Sequence, residues 1–588
     1  MYRTHTCGEL RAQDKGKEVK LAGWVNARRD HGGVIFIDLR DRYGLTQVAF
    51  DPKRSKDAWK IADSVRPEYV VQVTGTVRHR PKGMVNKKID TGEVEVDGNG
   101  IDVLHKAKTP PFEINTDEEV NEDVRLEYRY LDLRGERMKN NVIARAKIAK
   151  FIRNFLDERD FVEIETPILT KSTPEGARDF IVPSRQQPGK FYALPQSPQQ
   201  YKQLLMVAGM DRYYQLPRCF RDEDHRGDRQ AEFTQLDLEM SFVERDDVLN
   251  LAEELFTSLV TKLYPHKKLL KKPWPRLSYD EVVLTYGTDR PDLRFGLEIV
   301  ELSDEARGGG FAVFDDALSH GGVVRAIAAT GAASFSRSQI DELSEYVKEF
   351  GAKGLAYIVV EEKGLKSPIL KFLGEERAKS IVKKTGAAPG DIVFFGAGPE
   401  GVVRESMGEL RTELGRRLNL IDRNLLAAAF IIDFPLFEER KEDGHYAPSH
   451  HMFTAPRPED IKLLDSDPHK VRSWQYDMVW NGYEVGGGSI RIHDAEVQQK
   501  IFDLIGFSEE RTNEFSHMLR AFDFGAPPHG GIAPGLDRIV MILQDEPNIR
   551  EVIPFPKNQR SEDRMMGAPS PVEPTQLKEA HIKVVKEA

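Results

Sequence analysis

The sequence predicts a multi-domain α+β protein that begins with a small β-barrel. The chain has 588 residues, which at about 150 residues per domain allows about four domains. Short strand-like runs separated by turns fill residues 1–105, and from Asn141 the apolar residues recur at helical spacing instead. Residues 290–425 then alternate strand-like runs with amphipathic helices, which predicts a self-contained α+β unit.

The composition is that of a water-soluble globular protein, and it excludes several classes. Hydrophobic residues make up 40% and charged residues 31% of the chain, which is ordinary for such proteins. No apolar run approaches the roughly 18 residues that cross a bilayer, and the first residues lack the apolar core of a signal peptide. The two cysteines, Cys7 and Cys219, exclude a disulfide scaffold and a multi-thiolate metal site. We therefore expect a cytoplasmic protein without a membrane partner.

Charge is distributed unevenly along the chain. The formal net charge is −10, yet residues 1–110 hold 21 Lys and Arg against 15 Asp and Glu. A basic first domain on an acidic body favours contact with a polyanion at one defined place. Chance variation in surface charge explains the same asymmetry equally well.

The N-terminal part of the chain divides into a barrel, a connector and a helix. Five strands this close together, with a single helix-like stretch at Asp57–Ser64, predict a small closed barrel. A polar connector at residues 106–135 follows, then a helix of about five turns from Asn141, and then a strand at residues 161–167 that ends in proline. The barrel strands are predicted at Val19–Val25, Val34–Leu39, Leu45–Phe50, Tyr69–Val77 and Glu93–Val96.

The later elements are predicted from shorter apolar runs. In the α+β unit, strands are expected at Phe311–Phe314, Ala356–Val360 and Ile392–Phe395, and helices at Ser338–Phe350 and Glu400–Leu418. Strands return at Ala428–Ile432, Tyr483–Gly486 and Ser489–Ile492, and a helix follows at Gly535–Leu543.

A glycine-rich turn at Gly396–Gly401 matches the G-x-G-x-x-G pattern of dinucleotide-binding loops. It follows a strand and opens a helix, as that pattern requires. However, no acidic residue closes a second strand about 20 positions later, and no parallel βαβ series surrounds the turn. We interpret it as a strand–turn–helix joint. A dinucleotide-dependent enzyme is the alternative, which a titration with NAD would test.

Arginine and acidic residues embedded in apolar strands form the first candidate site. The flanks Tyr213–Leu216 and Phe233–Phe242 predict a hairpin with a long polar loop that carries Arg221. An arginine on a strand can hold a phosphate in its forked guanidinium, and an aromatic ring such as Phe233 can stack on a base. The pattern indicates a nucleoside phosphate site, although a surface hairpin with salt bridges has the same composition.

Two later segments share this bias. Arg538 lies in the predicted first turn of a helix after the small residues at 531–535, where it opposes the helix dipole unless a ligand phosphate neutralises it. Asp477 and Glu484 flank a predicted strand pair and could share a magnesium ion through their oxygens. Arg491 follows on the same hairpin, and a strand with both a carboxylate and an arginine is costly unless they meet a ligand.

Together these segments resemble the signature motifs of class II aminoacyl-tRNA synthetases. The arginine-rich hairpin resembles motif 2, Gly535–Arg538 resembles motif 3, and the helix with Glu163–Pro167 resembles motif 1, which builds the dimer interface in that class. Three further stretches resemble bacterial aspartyl-tRNA synthetases, and the resemblance covers essentially the whole chain. They are Thr173–Asp179, Leu194–Lys202 and Gly482–Arg491.

The resemblance implies a fold class and its boundaries. It implies an N-terminal OB-fold β-barrel, a class II catalytic domain with an antiparallel sheet, and an inserted α+β domain. The implied domains are an anticodon-binding OB-fold at 1–105, a hinge at 106–135, a first catalytic part at 136–287, a bacterial GAD-type insertion at 288–422, a second catalytic part at 423–560 and a C-terminal extension at 561–588.

The resemblance also implies a two-step reaction. Aspartate attacks the α-phosphate of ATP and releases pyrophosphate, and a ribose hydroxyl of the terminal tRNA adenosine then takes the aspartyl group. Catalysis would be positioning and charge stabilisation by Arg221 and Arg538, with Mg²⁺ on Asp477 and Glu484. The implied ATP site comprises Arg221, Asp222, Glu223, Gln230, Phe233, Glu484, Gly535, Leu536, Asp537 and Arg538. The implied aspartate site comprises Glu175, Gln199, Lys202, Arg221, Gln235, Asp237, His450 and Arg491.

In this resemblance, Lys202 and Arg491 bind the side chain of the substrate aspartate. A buried Lys–Arg pair needs an anion, so neutral asparagine would leave two cations unpaired. The resemblance also places His450 at the aspartate. A metal site at His450 and His451 is not favoured, because neighbouring residues of a strand point to opposite faces.

In the barrel, the resemblance implies that Phe36 stacks on an anticodon base while polar neighbours contact base edges. Without it, Phe36 would be expected in the core. His31 and Gly83 resemble the non-discriminating type of enzyme, which charges both tRNA(Asp) and tRNA(Asn), because the discriminating type tends to have leucine and lysine there. A solvated loop residue and a turn glycine are the alternative interpretation. The implied anticodon contacts are Arg29, Phe36, Gln47 and Glu95.

The implied partners are ATP, L-aspartate, tRNA, a second copy of the chain, and an amidotransferase that converts the aspartyl group on tRNA(Asn). An inactive tRNA-binding paralogue would be expected to lack some of Arg221, Glu484, Arg491 or Arg538, and none is missing. The barrel argues against a free-standing asparagine synthetase. The cationic pocket and residues 290–425 argue against an asparaginyl- or lysyl-tRNA synthetase. An enzyme that charges only tRNA(Asp) remains the alternative.

Overall fold

A computed structural model describes residues 1–115, 118–173, 176–224, 227–438, 440–441 and 444–585. The chain forms two compact units. Unit 1 comprises residues 1–142, 554–558 and 562–569, and unit 2 comprises residues 143–553, 559–561 and 570–588. Within the described ranges, no helix is both long and apolar enough to cross a bilayer.

Unit 1 contains a closed barrel with the strand order β1-β2-β3-β5-β4. Side chains alternate between the two faces of each strand, and the inward ones, such as Leu21, Ile37 and Val73, are wholly buried. The last strand continues well past the predicted end at Val96, because its glycines, which are typical of turns, here allow close packing against Phe50 and Thr74. The barrel elements are β1 (Glu18–His31), β2 (Val34–Asp41), β3 (Gly44–Phe50), α1 (Lys56–Ser64), β4 (Val70–His79) and β5 (Val94–His105).

The polar connector contains two short helices that the sequence analysis did not predict. They are α2 (Glu122–Glu127) and α3 (Arg129–Asp132), and the side chain of Asn121 caps the first by accepting a hydrogen bond from the Asp123 amide. The next helix, α4 (Glu136–Asp157), begins before Asn141. Its first turn has a single apolar residue, Met138, among charged residues, so it favours helix but shows no apolar periodicity.

The elements that follow α4 supply the first part of the main sheet. Of the strand predicted at 161–167, only two residues pair with a neighbour. The elements are β6 (Val162–Glu163), β7 (Ile181–Pro183), β8 (Phe191–Ala193), α5 (Gln199–Val207), β9 (Arg212–Gln215), β10 (Arg218–Phe220), β11 (Glu232–Thr234), β12 (Asp237–Ser241), α6 (Arg245–Leu263), β13 (Lys268–Leu269), β14 (Arg276–Ser278) and α7 (Tyr279–Tyr286).

The inserted segment forms a five-stranded antiparallel sheet with helices. The strand predicted at Phe311–Phe314 is wrong: the chain there enters a helix that buries Phe314, Ala317 and Leu318 at helical spacing, since a short apolar run does not distinguish strand from helix. The elements are β15 (Ile299–Glu301), α8 (Ser303–Ala306), α9 (Ala312–Ser319), β16 (Val323–Ala329), α10 (Arg337–Lys348), β17 (Ala356–Glu361), β18 (Gly364–Lys366), α11 (Leu370–Leu373), α12 (Glu375–Thr385), β19 (Ile392–Gly398) and α13 (Glu400–Arg417).

The turn at Gly396–Gly401 joins β19 to α13, as predicted. β19 pairs antiparallel with both neighbours in the sheet order β15-β16-β19-β17-β18, so the parallel setting of a dinucleotide site is absent from this described sheet. A Cβ atom on Gly396 would lie 2.8 Å from the Met407 side chain. The glycine therefore serves close packing of helix on strand.

The remaining elements complete the main sheet. The two strands predicted at 483–486 and 489–492 are one strand, because the glycines between them are not a break. A Cβ on Gly486 or Gly488 would lie 2.4 Å from Pro534 or 2.2 Å from the Gly531 oxygen. The elements are β20 (Leu425–Leu426), β21 (Ala428–Ile432), α14 (Leu463–Ser466), β22 (Gln475–Trp480), β23 (Tyr483–Ile490), α15 (Ala495–Leu504), α16 (Glu509–Glu514), α17 (Ser516–Asp523), β24 (His529–Ile532), α18 (Leu536–Leu543) and α19 (Pro574–Glu579).

The main sheet has eight strands in the order β14-β21-β22-β23-β24-β12-β9-β6. Neighbouring strands are antiparallel except at the two ends, where β14 pairs parallel with β21 and β6 with β9. One face packs against α4, α6 and α18 through residues such as Leu238 and Met240. Because side chains alternate along a strand, Asp237 and Glu239 of the same strand lie on the opposite face.

Candidate active site

On that opposite face, unit 2 holds a cavity of about 320 Å³. It brings together residues from segments that are more than 300 positions apart in the chain. Glu175 lies outside the described residues, although Gly176 and Ala177 line the cavity. The predicted site residues that line it are Gln199, Lys202, Arg221, Glu223, Gln230, Phe233, Gln235, Asp237, His450, Glu484, Arg491, Gly535, Asp537 and Arg538.

One end of the cavity carries an arginine and an aromatic ring from the predicted hairpin. β10 and β11 pair with Phe220 opposite Glu232, and the Arg221 amide donates to the Ala231 oxygen beyond them. The Arg221 guanidinium lies 5.2 Å from the centre of the Phe233 ring. Its Nε is buried and has no hydrogen-bond partner among the residues described. An unsatisfied guanidinium beside an open ring suits a nucleotide.

Ion pairs hold the acidic residues of the polar loop in this hairpin. Glu223 lines the cavity and lies 3.5 Å from Arg229. Asp222 does not line the cavity; it lies 3.8 Å from Arg178 and its amide donates to the Arg178 oxygen. Asp222 is therefore placed to hold the strand that leads into the site.

Arg538 lies in the first turn of α18 and points into the cavity. Its guanidinium donates to the backbone oxygens of Glu484 at 2.6 Å and of Asp228 at 3.2 Å, and it lies 3.1 Å from the Asp228 carboxylate. The expectation that a ligand phosphate is needed to neutralise Arg538 is wrong in this respect, because Asp228 already offsets its charge.

The other predicted residues of motif 3 contribute to the architecture around the cavity. The Leu536 side chain is buried in the core of unit 2 and does not line the cavity. The Asp537 carboxylate accepts hydrogen bonds from Arg145 of α4 and, at 2.8 Å, from the Thr234 amide. Asp537 thereby ties three signature segments together. The Gly535 amide donates to the Val485 oxygen at 2.8 Å.

The other end of the cavity is a buried network of four charges. Lys202 Nζ lies 2.9 Å from Asp237 Oδ2 and 3.3 Å from Glu239 Oε2, and Arg491 Nε donates to Glu239 Oε1 at 2.9 Å. Arg491 also donates to the Ser489 hydroxyl at 2.7 Å. The expectation that Lys202 and Arg491 need a substrate anion is therefore corrected: Glu239, which the sequence analysis missed, already pairs with both.

The two carboxylates of this network differ in proton affinity. Burial raises the pKa of Asp237, and Lys202 offsets this only in part. Burial also acts to raise the pKa of Glu239, but Arg491 and Lys202 outweigh it, so that this pKa lies below its ordinary value. Asp237 Oδ1 accepts no hydrogen bond from any residue that the structure describes. It is thus an acceptor available to a ligand ammonium group.

Glutamines and a histidine surround this network. Gln199 donates to the Gln203 side chain at 3.0 Å, and Gln203 lies 3.1 Å from His529 Nε2. His529 Nδ1 donates to the Pro527 oxygen at 2.7 Å, so its Nε2 accepts the bond from Gln203. Gln235 Oε1 faces the Cys219 thiol at 3.4 Å.

Glu484 lines the nucleotide end of the cavity beside Arg538, whereas Asp477 does not line the cavity but lies close enough to repel the Glu484 charge. Glu484 has a raised pKa, because it is buried and because Asp477 repels its charge, although Arg538 offsets part of the effect. Asp477 accepts a hydrogen bond from Gln475 at 2.8 Å, and its other oxygen lies 3.5 Å from His450 Nε2. Two buried carboxylates that repel one another are the kind of oxygen donors that Mg²⁺ prefers, so these residues fit the ion.

His450 and His451 do not lie on a strand, so the expectation that they point to opposite faces of a strand is wrong. The chain at His450 and His451 has no regular structure, and both residues line the cavity. Burial acts to lower the pKa of His450, but Asp477 and Glu484 outweigh it, so the pKa is raised. No group of three His, Cys, Asp or Glu side chains suited to a metal was found in the described ranges.

In unit 1, the four predicted anticodon residues share the outer face of the barrel. Phe36 is half-buried and does not belong to the barrel core, so the expectation of a core phenylalanine is wrong. Arg29 donates to Asp38 at 2.7 Å, and Gln47 donates to Glu95 at 2.7 Å. An aromatic ring next to paired polar groups is the usual surface for single-stranded RNA.

His31 and Gly83 are also at the surface of unit 1. His31 is the last residue of β1 and is exposed. Gly83 has φ of +88° with nothing near its Cβ position, so a side chain there would meet open space but a strained backbone.

Comparison with known proteins decides the family. Residues 121–559 match the family model described as tRNA synthetases class II (D, K and N), and residues 19–104 match that of the OB-fold nucleic acid binding domain. The chain belongs to the class II aminoacyl-tRNA synthetases. The predicted fold class, with its N-terminal OB-fold barrel and class II catalytic domain, is confirmed.

Curated relatives of this synthetase match along its whole length. A protein of Rubrobacter xylanophilus named "Aspartate--tRNA(Asp/Asn) ligase" is 56% identical over 99% of this chain and 97% of its own. Proteins of the same name are 53% identical in Moorella thermoacetica, over 99% of this chain and 97% of that one, and 52% identical in Dehalococcoides mccartyi strain CBDB1, over 100% of both.

Solved structures share the fold of this synthetase at low identity. Asparaginyl-tRNA synthetase from Pyrococcus horikoshii, complexed with asparaginyl-adenylate, has a TM-score of 0.60 at 19% identity and covers 95% of this chain and 98% of its own. Aspartyl-tRNA synthetase from Entamoeba histolytica has a TM-score of 0.55 at 20% identity over 93% and 90% of the two chains.

Three residues at the site escaped the sequence analysis of this synthetase. Glu239, Asp228 and Arg145 each pair with a predicted site residue. The alternation of Asp237 and Glu239 within an apolar strand could have revealed the first. The other two pair across more than 300 residues of sequence, so local patterns do not reveal them.

Proposed function

We propose that this synthetase attaches L-aspartate to tRNA through an aspartyl-adenylate, and that it accepts both tRNA(Asp) and tRNA(Asn). The observation that carries the proposal is a single cavity that joins an arginine–aromatic end to a buried network of two cations and two carboxylates. The first end suits ATP and the second suits a small dicarboxylate. The full-length relatives named for this activity support the same conclusion.

At the nucleotide end, the adenine would stack on Phe233, and Arg538 would close over its other face and reach the γ-phosphate. Arg221 would hold the α-phosphate where the substrate carboxylate attacks, and Glu223 and Gln230 would contact the adenosine. Asp477 and Glu484 would hold Mg²⁺, which would offset the charge of the phosphates. The protein would accelerate the reaction by positioning and by charge stabilisation.

At the amino-acid end, Asp237 Oδ1 would accept the substrate ammonium group, with Gln199 and Gln235 beside it. Among the contacts of the described residues, two of the three N–H donors of Lys202 and three of the five of Arg491 are engaged. One donor of Lys202 and two of Arg491 are therefore available to a ligand. The side-chain carboxylate of aspartate can accept from these donors. The amide nitrogen of asparagine would instead present donors to donors, which selects against it.

For tRNA recognition, we propose that the outer barrel face binds the anticodon, with Phe36 stacked on a base. Aspartyl-tRNA(Asn) made by this route would need a tRNA-dependent amidotransferase. We propose that the synthetase and this amidotransferase are partners in the cytoplasm. We also propose a homodimer built at the edge strand β6, where Val162 is exposed in the single chain. Sedimentation of the purified protein tests the dimer.

The experiment measures aminoacylation with labelled aspartate, ATP and Mg²⁺ on purified tRNA(Asp) and tRNA(Asn) side by side. Charging of both supports the proposal. Charging of tRNA(Asp) alone would support the discriminating alternative, and charging of neither would refute the activity.

The double variant His31→Leu/Gly83→Lys tests the basis of the dual specificity. We expect a selective loss of tRNA(Asn) charging, with pyrophosphate exchange unchanged because the variant does not touch the cavity. His105→Leu with Gly16→Lys is a matched control, since His105 is, like His31, the exposed last residue of a barrel strand, and Gly16 has open space at its Cβ position. An equal loss on both tRNAs would contradict the assignment of His31 and Gly83.

A further inference from the structure

The segment that joins α7 to the inserted sheet, residues 287–296, is held by one buried arginine. Arg411 of α13 is 1% exposed. Its guanidinium donates to the backbone oxygens of Asp292 at 2.8 Å, Phe295 at 2.8 Å and Gly296 at 2.9 Å. It also lies 4.8 Å from the Tyr286 ring and 4.4 Å from the Phe295 ring. One side chain thus fixes three successive points of the segment.

Two glycines on the same face of α13 allow this contact. Gly408, Arg411 and Gly415 are spaced at i, i+3 and i+7 and therefore share one side of the helix. A Cβ on Gly408 would lie 2.9 Å from the Gly287 oxygen, and one on Gly415 would lie 2.6 Å from the Phe295 ring. The helix face is shaped to let the backbone of the segment approach.

The far side of the segment supports the turn before Glu484. A Cβ on Gly482, which has φ of +87°, would lie 3.3 Å from the Asp292 Cβ, so Asp292 packs directly on this turn. Arg294 holds the Asp292 carboxylate through contacts of 2.6 to 3.1 Å. Two residues after the turn, Glu484 lines the cavity, and its backbone oxygen accepts a hydrogen bond from Arg538. The insertion therefore reaches the nucleotide end of the site through packed groups.

We propose that Arg411 is a positioning residue for adenylation, which fixes Glu484 by bracing residues 287–296 against the Gly482 turn. The role assigned to Glu484 rests on the proposed function. Because Glu484 lies at the nucleotide end of the cavity, Arg411 acts on ATP binding and not on aspartate selection. The inserted domain thereby contributes a rigid support to the nucleotide end of the site. Glu484 would hold Mg²⁺ beside the phosphates, and a small displacement of such a positioning group has a large effect on rate.

The test measures aspartate-dependent ATP–pyrophosphate exchange by the full-length enzyme, with KM determined separately for ATP and for aspartate. Arg411→Lys keeps the charge, but a single ammonium cannot serve three oxygens in place of a guanidinium. Gly408→Ala leaves Arg411 in place and pushes on the Gly287 oxygen. For both variants we expect the KM for ATP to rise about tenfold and the KM for aspartate to stay unchanged.

Two matched controls separate positioning from general stability. Gly401→Ala lies in the same helix with nothing near its Cβ position. Arg325→Met removes another buried arginine of the inserted sheet, which pairs with Glu301 and Glu400 and not with residues 287–296. We expect wild-type KM values for ATP in both controls at a temperature where all variants are folded.

Hydrogen exchange of the amides at 481–484 gives a readout that does not depend on activity. We expect faster exchange there in Arg411→Lys and Gly408→Ala, and wild-type exchange in Gly401→Ala. Wild-type exchange and a wild-type KM for ATP in folded Arg411→Lys or Gly408→Ala would overturn the inference. Absence of aspartate-dependent activity in the wild-type enzyme would instead refute the proposed function, while the exchange measurement would still decide the bracing.

Discussion

Replacing Lys202 with methionine removes the cation that two buried carboxylates share. Lys202 is 1% exposed, and its Nζ lies 2.9 Å from Asp237 and 3.3 Å from Glu239, both of which are wholly buried. Methionine has a similar length and no charge. The network then changes from two cations and two anions to one cation and two anions.

The cost follows from these distances. Removing one partner of a buried ion pair typically destabilises a protein by about 3–5 kcal/mol, because the other charge is left without compensation. At an effective dielectric constant of about 20, one pair at about 3 Å is worth about 5 kcal/mol, which agrees. The added negative charge also repels the substrate aspartate. We expect kcat/KM for aspartate to fall by about 10²-fold to 10⁴-fold, since about 1.4 kcal/mol corresponds to a factor of ten.

Thermal unfolding and pyrophosphate exchange measure the two effects. Lys267→Met is the matched control, because Lys267 is a buried lysine paired with Asp545 away from the cavity. The double variant Lys202→Met/Glu239→Gln removes one anion together with the cation, so we expect it to regain stability without regaining activity. If Lys202→Met keeps wild-type stability and the kcat/KM of the Lys267 control, the network does not bind the substrate as described.

Three further outcomes are expected. Arg145→Met leaves the buried Asp537 carboxylate without its cation, so thermal unfolding should show a loss of about 3 kcal/mol and the KM for ATP should rise; an unchanged KM would mean that Asp537 does not position the nucleotide end. Burial lowers the pKa of His529, so on acidification this histidine is protonated at a higher pH in the unfolded chain than in the folded one. The free energy of unfolding should therefore decrease as the pH drops below about 6.5, by up to about 1.4 kcal/mol per pH unit. His529→Gln should reduce this slope, and an equal slope would contradict the buried neutral histidine. Phe36→Ala should weaken tRNA binding by about 1–3 kcal/mol and leave pyrophosphate exchange intact, and a loss of exchange would argue against a role confined to tRNA.

Much of the fold could be predicted from periodicity. The barrel strands, the helices α10 and α13 and the hairpin at Arg221 follow from apolar spacing, because a buried face imposes its period on the sequence. The predictions were wrong where an apolar run was too short to show a period, or where a glycine could mark either a turn or a close contact. Phe311–Phe314 is a run of four apolar residues, which is too short to show a period. The glycines at Gly486–Gly488 would mark a turn in many sequences, but here they allow close contact between strands.

The candidate site divides in the same way. Arg221, Phe233, Glu484, Arg491 and Arg538 were predicted from charged residues in apolar surroundings and from the resemblance of their motifs, and they line one cavity. Their partners were not predicted, because an ion pair between distant segments leaves no local pattern. Asp228 beside Arg538 and Glu239 between Lys202 and Arg491 depend on how strands meet.

By itself, the sequence determined the class of protein, the order of its domains and the residue types available for chemistry, because motif spacing and periodicity are local properties of the chain. Only the tertiary structure decided which charges are already balanced and which remain available to a ligand. The eight-stranded sheet brings Lys202, Glu239 and Arg491 within hydrogen-bond distance, and α13 brings Arg411 to the segment beside Gly482. Such balance depends on distances of a few ångströms between residues far apart in sequence, since charge interactions weaken with separation and strengthen with burial.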